Sequence, residues 1–318
     1  MKRSAILRWT GAGSLRRLSA SVGVMLDAHK LGGEASAVGE TIVVRGPEPI
    51  EVASVFQHTP GIRWIAAGFA GPRSEIGGAA VALAKLYLRR GDRFSVGAEG
   101  TGGALASDVA GAVTSKILDA VKGALVSENP RVIFRAAEDG KNGAVGVEVR
   151  SGPGGVPTGV EGVTCMVSGG VHSAVTAWMA LLGGFRVRLV HAAVSDQSLL
   201  AVARLYSELS NRVDPKGLSL EVLGGGPPSG LIARYASGHK GTMFGGFHSN
   251  GAAPGASLRV SSPLYLLPEE KFAAEFDSLG VKAFDFEEDW HRTGGGRLTS
   301  RGFSGGPADV SAVIDGLA

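Results

Sequence analysis

The sequence predicts a multidomain protein, α+β in its first half and α/β in its second. At 318 residues the chain is longer than one hydrophobic core usually serves. Short β-branched runs and helical stretches make up small α+β units before about residue 150, and beyond it the order becomes that of repeated α/β units. Between the two regimes lies Ser151-Gly152-Pro153-Gly154-Gly155-Val156-Pro157-Thr158-Gly159, too rich in Gly and Pro for regular structure. A hydrophobic fraction of 44% with 19% charged residues is that of a globular chain, and 50 glycines predict many turns.

Taken in order, residues 4–9 form a short strand, and Gly11 to Ser14 turn into a helix over 15–26, whose Leu15, Leu18, Val22 and Leu26 recur at helical spacing. A strand at 41–45, a helix at 50–57 and a strand at 62–66 follow. This order predicts a ferredoxin-like N-terminal domain over 1–75. The next domain, 76–158, is predicted as a helix over 79–89, a strand over 93–98 and a helix over 108–125 capped by Ser107 or Asp108. Asp119 and Lys122 fall on its exposed side. Two strands, 131–135 and 144–150, are joined by the turn Asp139-Gly140-Lys141-Asn142-Gly143.

From 159 to 318 the pattern predicts a parallel sheet with crossover helices: strands at 162–167, 186–192, 218–223 and 242–244, helices at 174–182, 197–210, 229–236 and 269–279. The tail, with Gly294-Gly295-Gly296 and the glycines from Gly302 to Gly306, is expected to be mobile before a short helix at 308–317.

Composition narrows function. The single cysteine, Cys165, excludes an intramolecular disulfide and a cysteine-based metal cluster within one chain. Its place in the strand before the central loop predicts a buried, inert thiol. Arg8 interrupts the first apolar run, so no signal peptide is expected, and no apolar run reaches the ~18 residues of a membrane span. The expected location is cytoplasmic. A net charge of +3, with arginine exceeding lysine, permits a polyanionic partner, although on composition alone a coding bias towards arginine is the preferred account. His239, His248 and His291 are too irregularly spaced for a metal set, and Glu287-Glu288-Asp289 reads as a solvated run; no metal site is predicted.

The chemistry is concentrated in Met166-Val167-Ser168-Gly169-Gly170-Val171-His172-Ser173. An apolar β-branched run stops at Ser-Gly-Gly and resumes as a helix, which places loop N–H groups and a helix N-terminus on one anion-binding concavity. No lysine follows the glycines, so this is not a Walker A loop. It resembles the pyrophosphate (PP) loop Ser-Gly-Gly-x-Asp-Ser of the ATP pyrophosphatases, agreeing at five of six positions.

The segment 152–159 resembles the Gly-x-Gly-Gly-x-Pro-x-Gly linker of ThiI-type tRNA 4-thiouridine synthases (tRNA sulfurtransferases). Residues 5–11 are similar to that family's first strand, and Val190-His191-Ala192 to its second nucleotide-binding strand.

This resemblance implies a ferredoxin-like domain, a THUMP domain over 76–158 and a PP-loop domain over 159–318. It implies ATP bound with adenine against Met166-Val167 and His191-Ala192 and phosphates in the loop of Ser168, Gly169, Gly170, His172 and Ser173, with Mg²⁺. It implies a tRNA partner, adenylylation of a tRNA uridine towards 4-thiouridine and a family link to thiamine thiazole biosynthesis; with Cys165 the only thiol of the sequence, the sulfur is expected from a separate donor or carrier. Candidates for tRNA phosphate contacts are Arg63, Arg73, Arg89, Arg90, Arg93 and Arg131.

Three features depart from the family pattern. His172 stands where the loop has Asp and cannot supply a permanent anion to a metal. No thiol other than Cys165 is present to carry sulfur, and the family's Thr-Gly-Glu segment is replaced by Thr242-Met243-Phe244-Gly245-Gly246. A degenerate relative that binds tRNA or a nucleotide without turnover is therefore the alternative reading.

Overall fold

The computed structural model describes residues 1–10, 14–100, 103–159, 161–193, 195–239, 241–245, 258–261, 269–279 and 303–304. These fall into two compact units, 1–157 and 158–318, divided within the Gly/Pro-rich segment.

The first unit runs β1 (Lys2–Trp9), α1 (Leu15–Ala28), β2 (Glu34–Val38), β3 (Thr41–Arg45), α2 (Pro49–Phe56), β4 (Ile62–Pro72) and α3 (Ile76–Tyr87). It continues through β5 (Arg93–Gly100), α4 (Gly103–Ala120), β6 (Leu125–Val126), β7 (Val132–Glu138) and β8 (Asn142–Ser151). All eight strands form one sheet in the order β2-β3-β1-β4-β8-β7-β5-β6. The pairs are antiparallel except that β5 is parallel to both β6 and β7. Alternation along each strand sends one set of side chains under the helices. Leu7, Val22, Leu26, Phe56 and Ile65 make one core. Leu83, Val113, Ile117, Phe94 and Phe134 make another, the last two rings meeting edge to face.

The opposite face is buried without a covering helix among the described residues: Ile6, Val43, Trp64, Ala66, Ala137 and Ala144 pack on one another. The sheet curls to achieve this. Arg8 on β1 reaches Glu99 on β5 at 3.1 Å, although β4, β8 and β7 lie between. Four flat strand spacings would separate them by ~19 Å. Curling needs close backbones, and Gly68 on β4 sits directly opposite Gly146 on β8.

Three sequence expectations change here. β2 was not anticipated. The helix expected over 108–125 starts at Gly103 and ends at Ala120, because the Leu125 N–H is taken by Asp92 O (2.9 Å) to start β6. Asp119 and Lys122 are nonetheless exposed, 3.6 Å apart. The Gly/Pro segment is also fixed at its start: Gly152 and Gly154 N–H groups donate to Arg63 O (3.1 Å) and Ile62 O (2.8 Å), and the Thr10 hydroxyl bonds to Gly155 O.

The second unit comprises β9 (Gly162–Met166), α5 (Val171–Leu182), β10 (Arg186–Ala192), α6 (Asp196–Ser210), β11 (Leu218–Leu223), α7 (Pro228–Gly238), β12 (Gly241–Gly245), β13 (Leu258–Ser261), α8 (Glu269–Leu279) and β14 (Phe303–Ser304). The sheet order is β13-β12-β9-β10-β11-β14. β9 to β13 are parallel, as alternation predicts, and β14 runs antiparallel to β11. Phe303–Ser304 is thus a strand within the tail expected to be mobile, while the helix expected at 308–317 lies outside the described residues. The chain leaves β9 towards β10 and β11, then crosses back to β12 on the other side, so β9 stands at the topological switch point where ligands bind in such sheets. α5 is buried almost all round, with Trp178 fully enclosed beside Leu181, Leu189 and Leu279.

No helix among the described residues is long and apolar enough to cross a membrane.

Candidate nucleotide and nucleic-acid sites

The loop between β9 and α5 is built by its own side chains. The Ser168 N–H donates to Ser173 Oγ (3.1 Å), the Gly170 N–H donates to Ser168 Oγ (3.3 Å), and the Ser173 hydroxyl donates to Gly170 O (2.8 Å). Gly169 has φ +91°, a conformation that a side chain strongly disfavours. Gly170 caps α5 without a side-chain hydrogen bond, and the first turn carries no acidic residue. The positive end of the helix dipole is therefore not neutralised by a carboxylate of its own, which suits a phosphate. His172 is half-buried and Ser173 buried.

Metal chemistry fits less well. No group of three His, Cys, Asp or Glu among the described residues could hold a metal ion, and His172 brings no carboxylate to the loop.

Val167 ends the strand by donating its N–H to Val190 O (2.9 Å). His191 is 1% exposed. Its Nδ1 lies 2.9 Å from Val167 O, and its Nε2 lies 3.3 Å from Ser198 Oγ. A carbonyl only accepts, so in the neutral ring Nδ1 carries the proton and Nε2 is the acceptor. Burial pushes the His191 pKa below its ordinary value, and the bond to Val167 opposes that shift. Ala192 is buried beside it. Cys165 is fully buried, and desolvation pushes its thiol far above the usual range, so it holds no thiolate for nucleophilic work.

In the first unit four of the six candidate arginines form one cluster and two stand apart from it. Arg89, Arg90, Arg93 and Arg131 gather in the α3–β5 turn and at the starts of β5 and β7, all exposed. Arg131 pairs with Asp92 at 2.7 Å, and the Arg131 N–H donates to Arg93 O at 2.8 Å. The Arg89 N–H (2.7 Å), then the Arg131 guanidinium, hold the Asp92 carboxyl below its usual pKa. Arg63 stands apart, exposed on β4. Arg73 follows β4 and pairs with the buried Glu138 at 2.8 Å.

No family model matches the chain. Over 85 residues it is 32% identical to a probable tRNA sulfurtransferase of Methanocaldococcus jannaschii, a stretch that is 26% of this chain and 22% of that protein. Over 103 residues it is 35% identical to a tRNA sulfurtransferase of Pyrobaculum aerophilum, 32% of this chain and 21% of that one. The chain thus matches about a fifth of the length of these curated relatives. Among solved structures, a crystal structure of a 4-thiouridine synthetase–RNA complex with bound ATP aligns with a TM-score of 0.59 at 15% identity, covering 100% of this chain and 96% of that one. The two share a fold. The crystal structure of PH1313 from Pyrococcus horikoshii Ot3 aligns with a TM-score of 0.67 at 19% identity, covering 88% of this chain and all of that one.

Sequence reading missed Ser195 and Ser198. Ser195 caps α6 by accepting the Ser198 N–H (3.1 Å), and Ser198 Oγ accepts the Ser195 N–H in return (3.3 Å). The signal was available: Ser-x-x-Ser directly after a strand and before an apolar-periodic run is a capping pattern.

Proposed function

We propose that this protein binds tRNA and activates a uridine with ATP, in the manner of the sulfurtransferases it resembles. The observation that carries the proposal is the glycine loop opening α5 at the sheet's switch point, with no carboxylate in the first turn. ATP would place its phosphates over Ser168, Gly169, Gly170, His172 and Ser173 and its adenine against the backbone of Met166-Val167 and His191-Ala192. Mg²⁺ would arrive with the nucleotide, because the loop offers it no anionic ligand.

In the reaction, the uridine oxygen forms a bond to the α-phosphorus as the bond to pyrophosphate breaks. Loop N–H groups and the helix terminus stabilise the charge growing on pyrophosphate. A sulfur nucleophile then displaces AMP. Burial of Cys165 supports a sulfur delivered by a separate donor or carrier.

Residues 1–75 and 76–158 would act as the ferredoxin-like and THUMP domains holding tRNA. The cluster Arg89, Arg90, Arg93 and Arg131 offers more to phosphate than Arg73, whose charge already faces a buried carboxylate. A cytoplasmic location would suit a tRNA substrate.

The second reading, binding without turnover, is favoured by one observation: His172 in place of the loop carboxylate. Incubation with α-labelled ATP, Mg²⁺ and unmodified tRNA separates the two. Release of AMP and pyrophosphate is expected. Retained tRNA binding without either product overturns the enzymatic reading.

A further inference from the structure

The loops at the carboxyl ends of β9 and β10 meet through one side chain. His191 donates from Nδ1 to Val167 O (2.9 Å), the carbonyl immediately before the Ser168 loop. Its other nitrogen faces Ser198 Oγ (3.3 Å), in the first turn of α6. The Ser198 hydroxyl proton has two acceptors in reach, Ser195 O (2.9 Å) and His191 Nε2, so the imidazole is joined to the capping box itself.

The backbones approach at the same place. A Cβ on Gly169 would come within 3.3 Å of both Ser198 O and Ala201 Cβ. With His191 1% exposed, solvent has little access to replace either bond.

We infer that His191 is a positioning residue that clamps the Ser168–Gly170 loop onto the first turn of α6, so that the loop's N–H groups are presented in one arrangement before a ligand arrives. The inference rests on the nucleotide-binding reading for its consequence but not for its geometry. Preorganisation lowers the cost of binding, because the loop is not ordered at the ligand's expense.

The side chain can be dissected atom by atom. Asn places an amide N–H near the position of Nδ1 and keeps the Val167 bond. Leu fills similar volume and keeps neither bond.

The test uses the full chain without nucleotide and follows amide hydrogen exchange in peptides covering 166–173 and 194–200. In His191→Leu both segments should exchange about tenfold faster, the size expected when one buried hydrogen bond is lost. Residues 163–165 of β9 should be unchanged. In His191→Asn the 166–173 segment should return close to the wild-type rate while 194–200 stays fast. Unchanged exchange in both segments of the Leu variant overturns the inference, and so does failure of Asn to restore 166–173. Should the Leu variant not fold, the Asn variant decides alone: unchanged exchange over 194–200 overturns the clamp.

ATP binding is measured in parallel, with about a tenfold weaker dissociation constant expected for the Leu variant. Wild-type protein that binds no ATP sinks the nucleotide reading and leaves the exchange result standing. Wild-type protein that binds ATP, with a folded Leu variant of equal affinity, sinks the preorganisation.

Discussion

Cys165 on β9 and His191 on β10 stand in neighbouring strands next to the Ser168 loop, and burial acts on them in opposite directions because it always opposes charge. For the thiol the charged form is deprotonated, so its pKa rises; for the imidazole the charged form is protonated, so its pKa falls. The histidine gives a pH dependence with a definite sign. Its folded pKa lies below the value of about 6.5 expected in the unfolded chain. Between those two values the unfolded chain binds the proton and the folded one does not, so stability is lost as pH falls through that window and is fully present above it. Urea midpoints of the unit containing His191 should therefore fall between pH 7.5 and 5.5, and His191→Asn should remove part of that fall. The difference between the two slopes isolates His191, the one residue by which the two proteins differ. Parallel slopes would show that burial does not hold the ring neutral.

Among the elements, glycine has opposite meanings in a strand and in a helix of the same unit. On β4 a Cβ at Gly68 would fall inside van der Waals contact with Val145 O and Gly146 Cα, both backbone atoms that cannot rotate aside. On the exposed side of α4 a Cβ at Gly111 meets nothing within 4 Å. Gly68→Ala should cost about 1–3 kcal/mol, as overpacking does. Gly111→Ala should gain roughly 0.5–1 kcal/mol by restricting the unfolded chain. Chemical denaturation of the two variants checks both signs, and an Ala at 68 that costs nothing would mean β4 and β8 can separate freely.

The same contrast explains what was legible in sequence. α1 announces itself by periodicity, because one face of it is buried, and β3 and β10 by runs of apolar residues that are buried on both faces. β2 reads Glu-Ala-Ser-Ala-Val and carries little apolar signal, since it is an edge strand held by backbone pairing to β3. The end of α4 was hidden for a related reason: Leu125 and Val126 keep helical spacing but are taken by the sheet. At the site, the loop could be read from Ser-Gly-Gly. The bond from His191 to Val167 could not, because it joins residues 24 positions apart and depends on the parallel register of β9 and β10.

For the whole molecule, the division at 157/158 has a thermodynamic consequence. The eight strands of the first sheet all precede it and the six strands of the second all follow it, so among the described residues no strand pairing crosses the boundary. Each unit keeps its own buried clusters, Trp64 and Phe134 in one, Trp178 and Leu189 in the other. Unfolding should then show two transitions, and a ligand should move only the transition of the unit that binds it. A ligand at 100 times its dissociation constant adds about 2.7 kcal/mol to that unit. ATP should raise the transition of 158–318, and unmodified tRNA that of 1–157. Gly68→Ala identifies the first transition by lowering it alone, and His191→Leu identifies the second. Calorimetry of the full chain with each ligand in turn provides the check. If ATP raised the transition that Gly68→Ala lowers, the nucleotide would be binding in the first unit, and the loop at Ser168 would lose its assignment. If tRNA raised only the transition marked by His191, the arginine cluster at Arg89 to Arg131 would lose its own.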